Sequence, residues 1–118
     1  MEGKAALIVF SVADPEAAAA FYAEALKASP YVKSPYYTGF RQGDLEIGLA
    51  QPDPRRDTHA PLLFMETADI VQRLKELTAA GATIAQDVSE VGGGLQIAVV
   101  RDPNGNLLGL RQGMPQAQ

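Results

Sequence analysis

Residues 47–51 read Ile-Gly-Leu-Ala-Gln, and the pattern returns near the end of the chain as Leu-Gly-Leu-Arg-Gln at 108–112. The glycines of the two copies lie 61 residues apart, at positions 48 and 109. Two helix-start signals, at Asp14 and Asp69, recur 55 residues apart. A chain that repeats both a helix start and a strand end in this way is predicted to contain one supersecondary module twice.

The first copy reads as a strand, a helix and three more strands. An apolar stretch at 5–12 is typical of a buried strand. Asp14-Pro15-Glu16 is a strong helix start, because Asp accepts hydrogen bonds from free N–H groups and Pro suits the first helical position. The helix is predicted to run to about Lys27, with bulky contacts at Phe21, Tyr22 and Leu26. Short strands follow at 31–33, 36–41 and 45–50, the last two joined by a Gln42-Gly43-Asp44 turn.

The second copy repeats this order of elements. A strand is predicted at 61–66 and a helix at 69–80, which Gly81 ends in the position where left-handed backbone is favourable. Three residues of the helix share one apolar face: Ile70, Leu74 and Leu77. Strands at 82–86, 95–101 and 106–111 follow, with a turn at Asp102-Pro103-Asn104-Gly105. We predict one domain: module one at about 4–51, a linker at about 52–60, module two at about 61–113 and a tail at 114–118.

Composition excludes several classes of function. The chain has 118 residues and no cysteine, so disulfides, thiolate metal sites and cysteine nucleophiles are ruled out. A net charge of −4 disfavours nucleic acid and anionic membranes as partners. The first apolar run is far shorter than the roughly 20 residues that a membrane span requires, and no signal-peptide pattern follows it. We therefore predict a cytoplasmic protein.

Several of these residues resemble a known family. Val12 and Asp14, followed by Phe21-Tyr22 and Leu26 and by the late turn Asp102-Pro103-Asn104-Gly105-Asn106, resemble the vicinal oxygen chelate superfamily. That group contains glyoxalase I, bleomycin-resistance proteins, methylmalonyl-CoA epimerase and extradiol dioxygenases. The resemblance spans nearly the whole chain. It implies an α+β fold in which two tandem βαβββ modules form an open, cup-shaped mixed sheet with the helices outside.

The resemblance also implies four metal-ligand positions, on the first and last strands of each module. They fall at Leu7, Gly48, Leu62 and Gly109, none of which can bind a metal. A catalytic metal needs about three imidazole or carboxylate ligands in fixed geometry. The sole histidine, His59, lies in the predicted linker and is interpreted as a surface residue. We expect no metal centre of the family type and no cofactor.

Strand alternation predicts which side chains face the cup. If Leu7 faces inward, Ile8, Phe10 and Val12 pack against the helix. Counting in the same way along the other strands gives an apolar floor with a few polar groups, as is usual in small-molecule pockets. The predicted ligand contacts are Leu7, Val9, Ser11, Tyr36, Glu46, Leu62, Phe64, Glu66, Leu107 and Arg111.

Each polar or aromatic member of this set has two interpretations. Glu46 and Glu66 are either a general acid and base or solvated rim groups. Arg111 either holds a ligand carboxylate or pairs with one of the two glutamates. Tyr36, together with Tyr37 and Phe40, either stacks on a flat ligand or packs in the core or at a dimer contact.

Three hypotheses of function follow from the sequence. The first is a glyoxalase/bleomycin-resistance-like protein that binds a small organic molecule in the cup without a divalent metal, for sequestration or resistance. The second is a metal-independent enzyme of lyase or isomerase type, with Glu46 or Glu66 transferring a proton next to a carbonyl. The third is a structural dimer with a self-filled cup. A homodimer is expected from the resemblance, and the Gly92-Gly93-Gly94 loop is either a lid or a loop that needs positive φ.

Overall fold

The structure is a computed structural model that describes residues 2–56 and 59–113. The tail predicted at 114–118 lies outside the described residues, as do positions 57 and 58 of the predicted linker. The chain divides into two compact units. One unit, Ala6–Leu62, contains most of module one and the segment that follows it, and the other combines the N-terminal residues up to Ala5 with most of module two, from Leu63 onward.

Module one has the predicted order of elements. Its strands and helix are β1 (Ala5–Ser11), α1 (Pro15–Leu26), β2 (Val32–Lys33), β3 (Tyr37–Gln42) and β4 (Leu45–Ala50). The strands pair in the order β2-β3-β4-β1. The strand β1 runs parallel to β4, while the β2–β3 and β3–β4 pairs are antiparallel. The unit is therefore one mixed four-stranded sheet with one helix.

Local chemistry sets both ends of α1, as the sequence predicted. The Asp14 carboxylate accepts hydrogen bonds from the backbone N–H groups of Glu16 and Ala17, each at 3.1 Å. Pro15 occupies the first turn, where its missing N–H costs nothing. Lys27 ends the helix in the left-handed region at φ 51°. The helix thus begins and ends where its free N–H and C=O groups find partners.

One face of the module-one sheet packs against α1. Phe40, Ile47 and Leu49 form the buried cluster, joined by Phe10 and Tyr22 among other partly buried apolar side chains. The packing alternative for Phe40 is confirmed, since the side chain is 0% exposed.

The prediction of Phe21 as a packing contact is wrong. The side chain of Phe21 is 70% exposed. Ala18, Tyr22 and Leu26 recur at helical spacing on the packed side of α1, which turns Phe21 away from the sheet.

Module two repeats the architecture. Its elements are β5 (Leu62–Glu66), α2 (Ile70–Ala79), β6 (Thr83–Glu90), β7 (Gln96–Arg101) and β8 (Leu107–Gln112). The strand order is β5-β8-β7-β6, which corresponds strand for strand to the order β1-β4-β3-β2 of module one. The β5–β8 pair is parallel, and the β6–β7 and β7–β8 pairs are antiparallel. The fold is α+β and consists of two tandem βαβββ modules, as predicted.

The helix α2 packs on module two through the predicted apolar face. Ile70 and Leu74 are buried in one cluster with Ala98, Val100 and Leu110, and Leu77 is partly buried against it. Asp69 caps the helix by accepting from the backbone N–H of Gln72 at 3.1 Å. Gly81 follows the helix with φ 113°, a conformation that few other residues adopt.

The strand β6 is longer than predicted. It runs to Glu90 rather than ending near Gln86, and its pairing with β7 shifts register twice, between Ile84 and Gln86 and between Gln86 and Ser89. Such bulges break the alternation of apolar and polar residues from which strands are predicted. The three loop glycines 92–94 all have positive φ, at 116°, 61° and 80°. The prediction of a loop that requires positive φ is therefore confirmed.

The turn before β8 is held by Asp102. Its carboxylate accepts from the backbone N–H groups of Asn104 and Asn106, both at 2.8 Å, and from the side-chain amide of Asn106 at 3.1 Å. These hydrogen bonds favour the charged form, so the pKa of Asp102 lies below its ordinary value of 3.8, with those from Asn106 the main cause. Gly105, at φ 92°, completes the turn.

We expect an Asp102→Ala variant to be less stable than the wild type at pH 7. A carboxylate whose pKa is lowered by folding stabilises the fold above its unfolded-state pKa and loses that contribution as the pH falls through the folded-state value. The stability gap should therefore close as the pH is lowered through and below 3.8. Urea denaturation of both proteins at a series of pH values measures the difference in their free energies of unfolding. A difference that is independent of pH would contradict this account.

Neither helix in the described part of the chain combines the length and the apolar character that a membrane span needs.

Candidate functional site

Each module has one sheet face that α1 or α2 does not cover, and we call it the helix-free face. In module one, cross-strand register places these residues on one side: Leu7, Val9, Ser11, Tyr37, Gly39, Arg41, Glu46, Gly48 and Ala50. In module two the corresponding set is Phe64, Glu66, Ile97, Val99, Arg101, Leu107, Gly109 and Arg111. Residues of the opposite parity, such as Phe40 and Leu110, pack on the helices.

Glu46 and Tyr37 form a hydrogen-bonded pair on the helix-free face of module one. The Tyr37 hydroxyl donates to Oε2 of Glu46. Glu46 is only 8% exposed, which is rare for a carboxylate. Among the described residues Glu46 forms no ion pair. A buried carboxylate needs a hydrogen-bond donor, and the phenol supplies one.

Two glycines provide the space that this pair occupies. A methyl group on Gly48 would stand 2.8 Å from ring carbons Cε1 and Cζ of Tyr37, which is too close for real atoms. One on Gly39 would stand 3.0 Å from Oε2 of Glu46 and 3.1 Å from Cε1 of Tyr31. Glycine within a strand often marks such a close approach. The absence of side chains at both positions therefore lets Tyr37 and Glu46 lie flat against the sheet.

Arg41 lies across the strand pair from Glu46 but does not bind it. The two residues are register partners between β3 and β4. The Arg41 guanidinium carbon lies 4.7 Å from the centre of the Tyr31 ring, in a cation–π contact. Arg41 and Glu46 therefore form no ion pair, although they lie on the same face of the sheet.

The helix-free face of module two is mostly apolar. Phe64 covers Gly109, where an added methyl group would stand 2.5 Å from Cε1 of the ring. Phe64 is 4% exposed and Val99 is 0% exposed. Leu107 is half-buried at the start of β8. The apolar side chains at the centre of this face are therefore buried, and Leu107 is the partly exposed apolar residue at its border.

One polar pair borders that apolar face. Nε of Arg111 lies 3.7 Å from Oε1 of Glu66, so Arg111 pairs with one of the two predicted glutamates. That distance is too long for a hydrogen bond, and Nε of Arg111 is buried with no hydrogen-bond partner among the described residues. The side chains are 28% and 38% exposed, so the ion pair contributes little to stability.

The strand β3 begins one residue later than predicted, which places one predicted ligand contact outside the strand. Tyr36 lies outside β3 and is 76% exposed, while Tyr37 occupies the helix-free face. The Ser34 hydroxyl accepts from the backbone N–H groups of Tyr36 and Tyr37 at 3.2 and 3.0 Å, so a turn delays the start of the strand. His59 is exposed, as predicted. Leu62 is 3% exposed at the start of β5.

The residues present do not fit a metal of the family type. The positions implied by the resemblance hold leucine or glycine, and the glycines lie beneath the rings of Tyr37 and Phe64. No group of three or more His, Asp or Glu side chains that could hold a metal ion occurs among the described residues. Neither helix-free face therefore presents a donor set for zinc, iron, nickel or manganese.

Module two has two cavities that lie away from its helix-free face, and none of the predicted ligand contacts lines either of them. One, of about 490 Å³, lies between α2 and β6 and is lined by Val71, Leu74, Lys75, Thr78, Ala79 and Ile84. The other, of about 210 Å³, lies at the start of α2 and is lined by Glu2, Ala68, Asp69, Gln72, Arg73 and Glu76.

Known proteins share this fold. The sequence profile of the Glyoxalase/Bleomycin resistance protein/Dioxygenase superfamily matches residues 4–110. An NAD-dependent benzaldehyde dehydrogenase from Legionella pneumophila is similar in structure, with a TM-score of 0.76, 21% identity and coverage of 92% of this chain and 98% of that one. No curated protein sequence matches the chain.

Two further structures are similar over nearly their full length. A methylmalonyl-CoA epimerase variant from Streptomyces coelicolor, bound to 2-nitronate-propionyl-CoA, has a TM-score of 0.74 at 14% identity and covers 100% of this chain and 99% of its own. A superfamily member from Vibrio splendidus has a TM-score of 0.66 at 15% identity, with 92% and 97% covered. At these identities the likeness concerns the fold.

Proposed function

The chain belongs to the Glyoxalase/Bleomycin resistance protein/Dioxygenase superfamily, and from that premise we propose that it binds a small organic molecule without a divalent metal. The ligand lies against a helix-free face, and sequestration of a toxic compound is one use of such binding. The observation that carries the proposal is the Tyr37–Glu46 pair, a buried carboxylate on an otherwise largely apolar face. Ligand sites commonly combine apolar walls with a few polar groups that orient the ligand.

The surroundings of this pair support binding rather than a purely structural role. Leu7, Val9 and Ser11 on β1 are only half-buried, so their side chains remain accessible on the same face. The proposal of a metal-free site rests on the leucines and glycines at the implied ligand positions, which supply no donor atoms.

A thermal-shift screen with and without EDTA tests this function. We expect at least one small organic compound to raise the melting temperature equally in both conditions. A ligand at about 100 times its Kd stabilises a protein by about 2.7 kcal/mol. Leu7→Asn should reduce the shift, while Val91→Asn, at an exposed position that lines neither of the two cavities described above, should preserve it. A shift that requires added Zn²⁺ or Mn²⁺, or no shift from any compound, would refute the proposal.

A second candidate function is metal-independent proton transfer next to a carbonyl. The observation in its favour is the same hydrogen bond, because a phenol and a carboxylate in contact can pass a proton between them. Glu46 would act as the base toward a bound ligand, and Tyr37 would hold the carboxylate in place. Glu66, paired with Arg111, is the corresponding candidate in module two.

Deuterium exchange separates this enzyme from a binding protein. Carbonyl compounds that bind in the screen are incubated with the protein in D₂O, and loss of their α-proton NMR signal is followed. The enzyme hypothesis expects catalysed exchange that Glu46→Gln or Glu66→Gln abolishes while binding persists. Exchange at the uncatalysed rate with every bound carbonyl compound would leave binding as the function.

Homodimer formation stays a prediction, which sedimentation velocity tests.

A further inference from the structure

The larger cavity of module two, of about 490 Å³, lies between α2 and the edge strand β6. One face of the helix and one side chain of the strand line it: Val71, Leu74, Lys75, Thr78 and Ala79 from α2, and Ile84 from β6. The helical members recur at intervals of three and four residues, so they share one face along about 12 Å of α2. A cavity of this size is typical of a site for a small molecule.

The cavity is open because α2 leaves the edge of its sheet uncovered. Ile84 and Val100 are register partners on neighbouring strands, so their side chains lie on the same face. Val100 is buried in the cluster under α2, whereas Ile84, one strand further out, is 48% exposed. Val71, on the helical wall, is 53% exposed. An apolar ligand that covered both exposed side chains would remove their surface from water, which is favourable.

Lys75 is the only charged residue among the described residues that line this cavity. The other two charged residues of α2, Arg73 and Glu76, pair with each other at 2.9 Å and line the smaller cavity. Lys75 forms no ion pair with any residue that the structure describes. The Thr78 hydroxyl donates to the backbone carbonyl of Leu74 at 2.8 Å, so its proton is already committed. The cavity therefore presents apolar walls and one ammonium group.

This combination is complementary to a small amphipathic anion. A carboxylate supplies the charge that Lys75 lacks, and the aliphatic stem of the lysine extends the apolar wall while its ammonium group stays at the water boundary. A second copy of the chain fits less well. In a two-fold dimer the same surface meets itself, and the described residues of this surface bring a cation and no carboxylate from either side.

We propose that this cavity is a second ligand site, which binds a free alkyl carboxylate of medium length. The carboxylate lies at the Lys75 ammonium group, and the alkyl chain lies between Val71 on α2 and Ile84 on β6. The inference goes beyond the proposed function, because the cavity lies on the helix side of the module-two sheet and none of the predicted ligand contacts lines it.

Octanoate and its neutral analogue octanamide test the site, because they share the alkyl chain and differ in the charge of the head group. Titrations of the full chain at neutral pH are followed by ¹H–¹⁵N NMR. We expect octanoate to shift the amide signals of Lys75, Thr78 and Ile84, and to bind about threefold to fivefold more tightly than octanamide, as an exposed ion pair would provide. Equal affinity for the two compounds, or no shift at these amides, would overturn the proposal.

Matched variants separate the cavity from the charge of the whole chain. Lys75→Gln and Lys33→Gln change the net charge equally, and Lys33 is an exposed residue of β2 in module one. Octanoate affinity should fall about threefold to fivefold in Lys75→Gln and stay unchanged in Lys33→Gln. Ile84→Asn, which makes one apolar wall polar, should weaken octanoate and octanamide alike. An equal fall in the two lysine variants, or unchanged affinity in Ile84→Asn, would overturn the proposal.

Sedimentation velocity examines the second copy as the occupant. A wild-type dimer that Ile84→Asn converts to a monomer would assign the cavity to a subunit contact and overturn the proposal.

Leu7→Asn distinguishes this inference from the proposed function, because Leu7 lies on the helix-free face of module one. Octanoate should bind this variant as it binds the wild type. Loss of octanoate binding in Leu7→Asn would place octanoate on the helix-free face, and the second site would be wrong. If octanoate does not bind but a compound from the thermal-shift screen does, the second site is wrong and the proposed function stands.

Discussion

A Phe40→Ala variant is expected to lose about 3–5 kcal/mol of unfolding free energy, the usual cost of emptying a buried aromatic site. Phe40 is 0% exposed and lies in one cluster with Ile47 and Leu49. Removing the ring leaves a cavity that the surrounding sheet and α1 can fill only in part. Urea denaturation followed by circular dichroism measures the loss.

Tyr36→Ala is the control for that measurement. Tyr36 is 76% exposed and precedes β3, so its loss should change stability by less than about 0.5 kcal/mol. The two residues have the same parity along the chain, and the sequence alone assigns both to a stacking surface or to packing. Similar losses in the two variants would contradict the placement of Phe40 in the core and Tyr36 in solvent.

Gly109→Ala is expected to cost about 1–3 kcal/mol, because a new methyl group would overlap the Phe64 ring. Phe64 is 4% exposed and has little room to move. Adding Phe64→Leu to the same chain should recover part of the loss, since the smaller side chain vacates the space above position 109.

Gly113→Ala is the matched control for this second substitution. Among the residues that the structure describes, an added methyl group there would meet only the Glu66 carboxylate, at 4.0 Å. Both alanine variants reduce the entropy of the unfolded chain to a similar degree, so their difference isolates the ring overlap. Equal stability of the two variants in urea denaturation would show that Phe64 does not cover Gly109.

The sequence predicts the helices of this protein well because their ends depend on neighbouring residues. Asp14 and Asp69 accept from N–H groups two or three positions away, and Gly81 supplies the backbone conformation after α2. The doubled module follows from the same local signals occurring twice. The assignment of the helix side also follows from sequence, since alternation along β1 and β4 fixes which side chains point to α1.

The errors arise where a turn, a register shift or the orientation of one side chain departs from the regular pattern of a strand or helix. The Ser34 hydroxyl accepts hydrogen bonds from two backbone N–H groups, and the strand β3 therefore starts at Tyr37. As a result Tyr37, and not Tyr36, lies on the helix-free face. Register shifts in β6 interrupt the alternation that marks a strand. Phe21 is apolar but lies off the packed stripe of α1.

The composition of the candidate site could be predicted only in part. Alternation brings Glu46 and Gly48 to one face, but it does not show that Tyr37 lies over the glycine and donates to the carboxylate. The available signal was the presence of Gly39, Gly48 and Gly109 inside strands, where glycine often marks the close approach of another group. The contact of Arg41 with Tyr31 depends on side-chain conformation and has no sequence signature.

The most direct test of the central claim is a crystal structure of the purified protein soaked with the best compound of the thermal-shift screen, with elemental metal analysis of the same sample. We predict density for the compound against a helix-free face, within contact of Leu7, Tyr37 and Glu46 or of Phe64 and Arg111, and no stoichiometric transition metal. A metal ion coordinated by His59, Glu46 or Glu66, present in one equivalent per chain, would contradict the account.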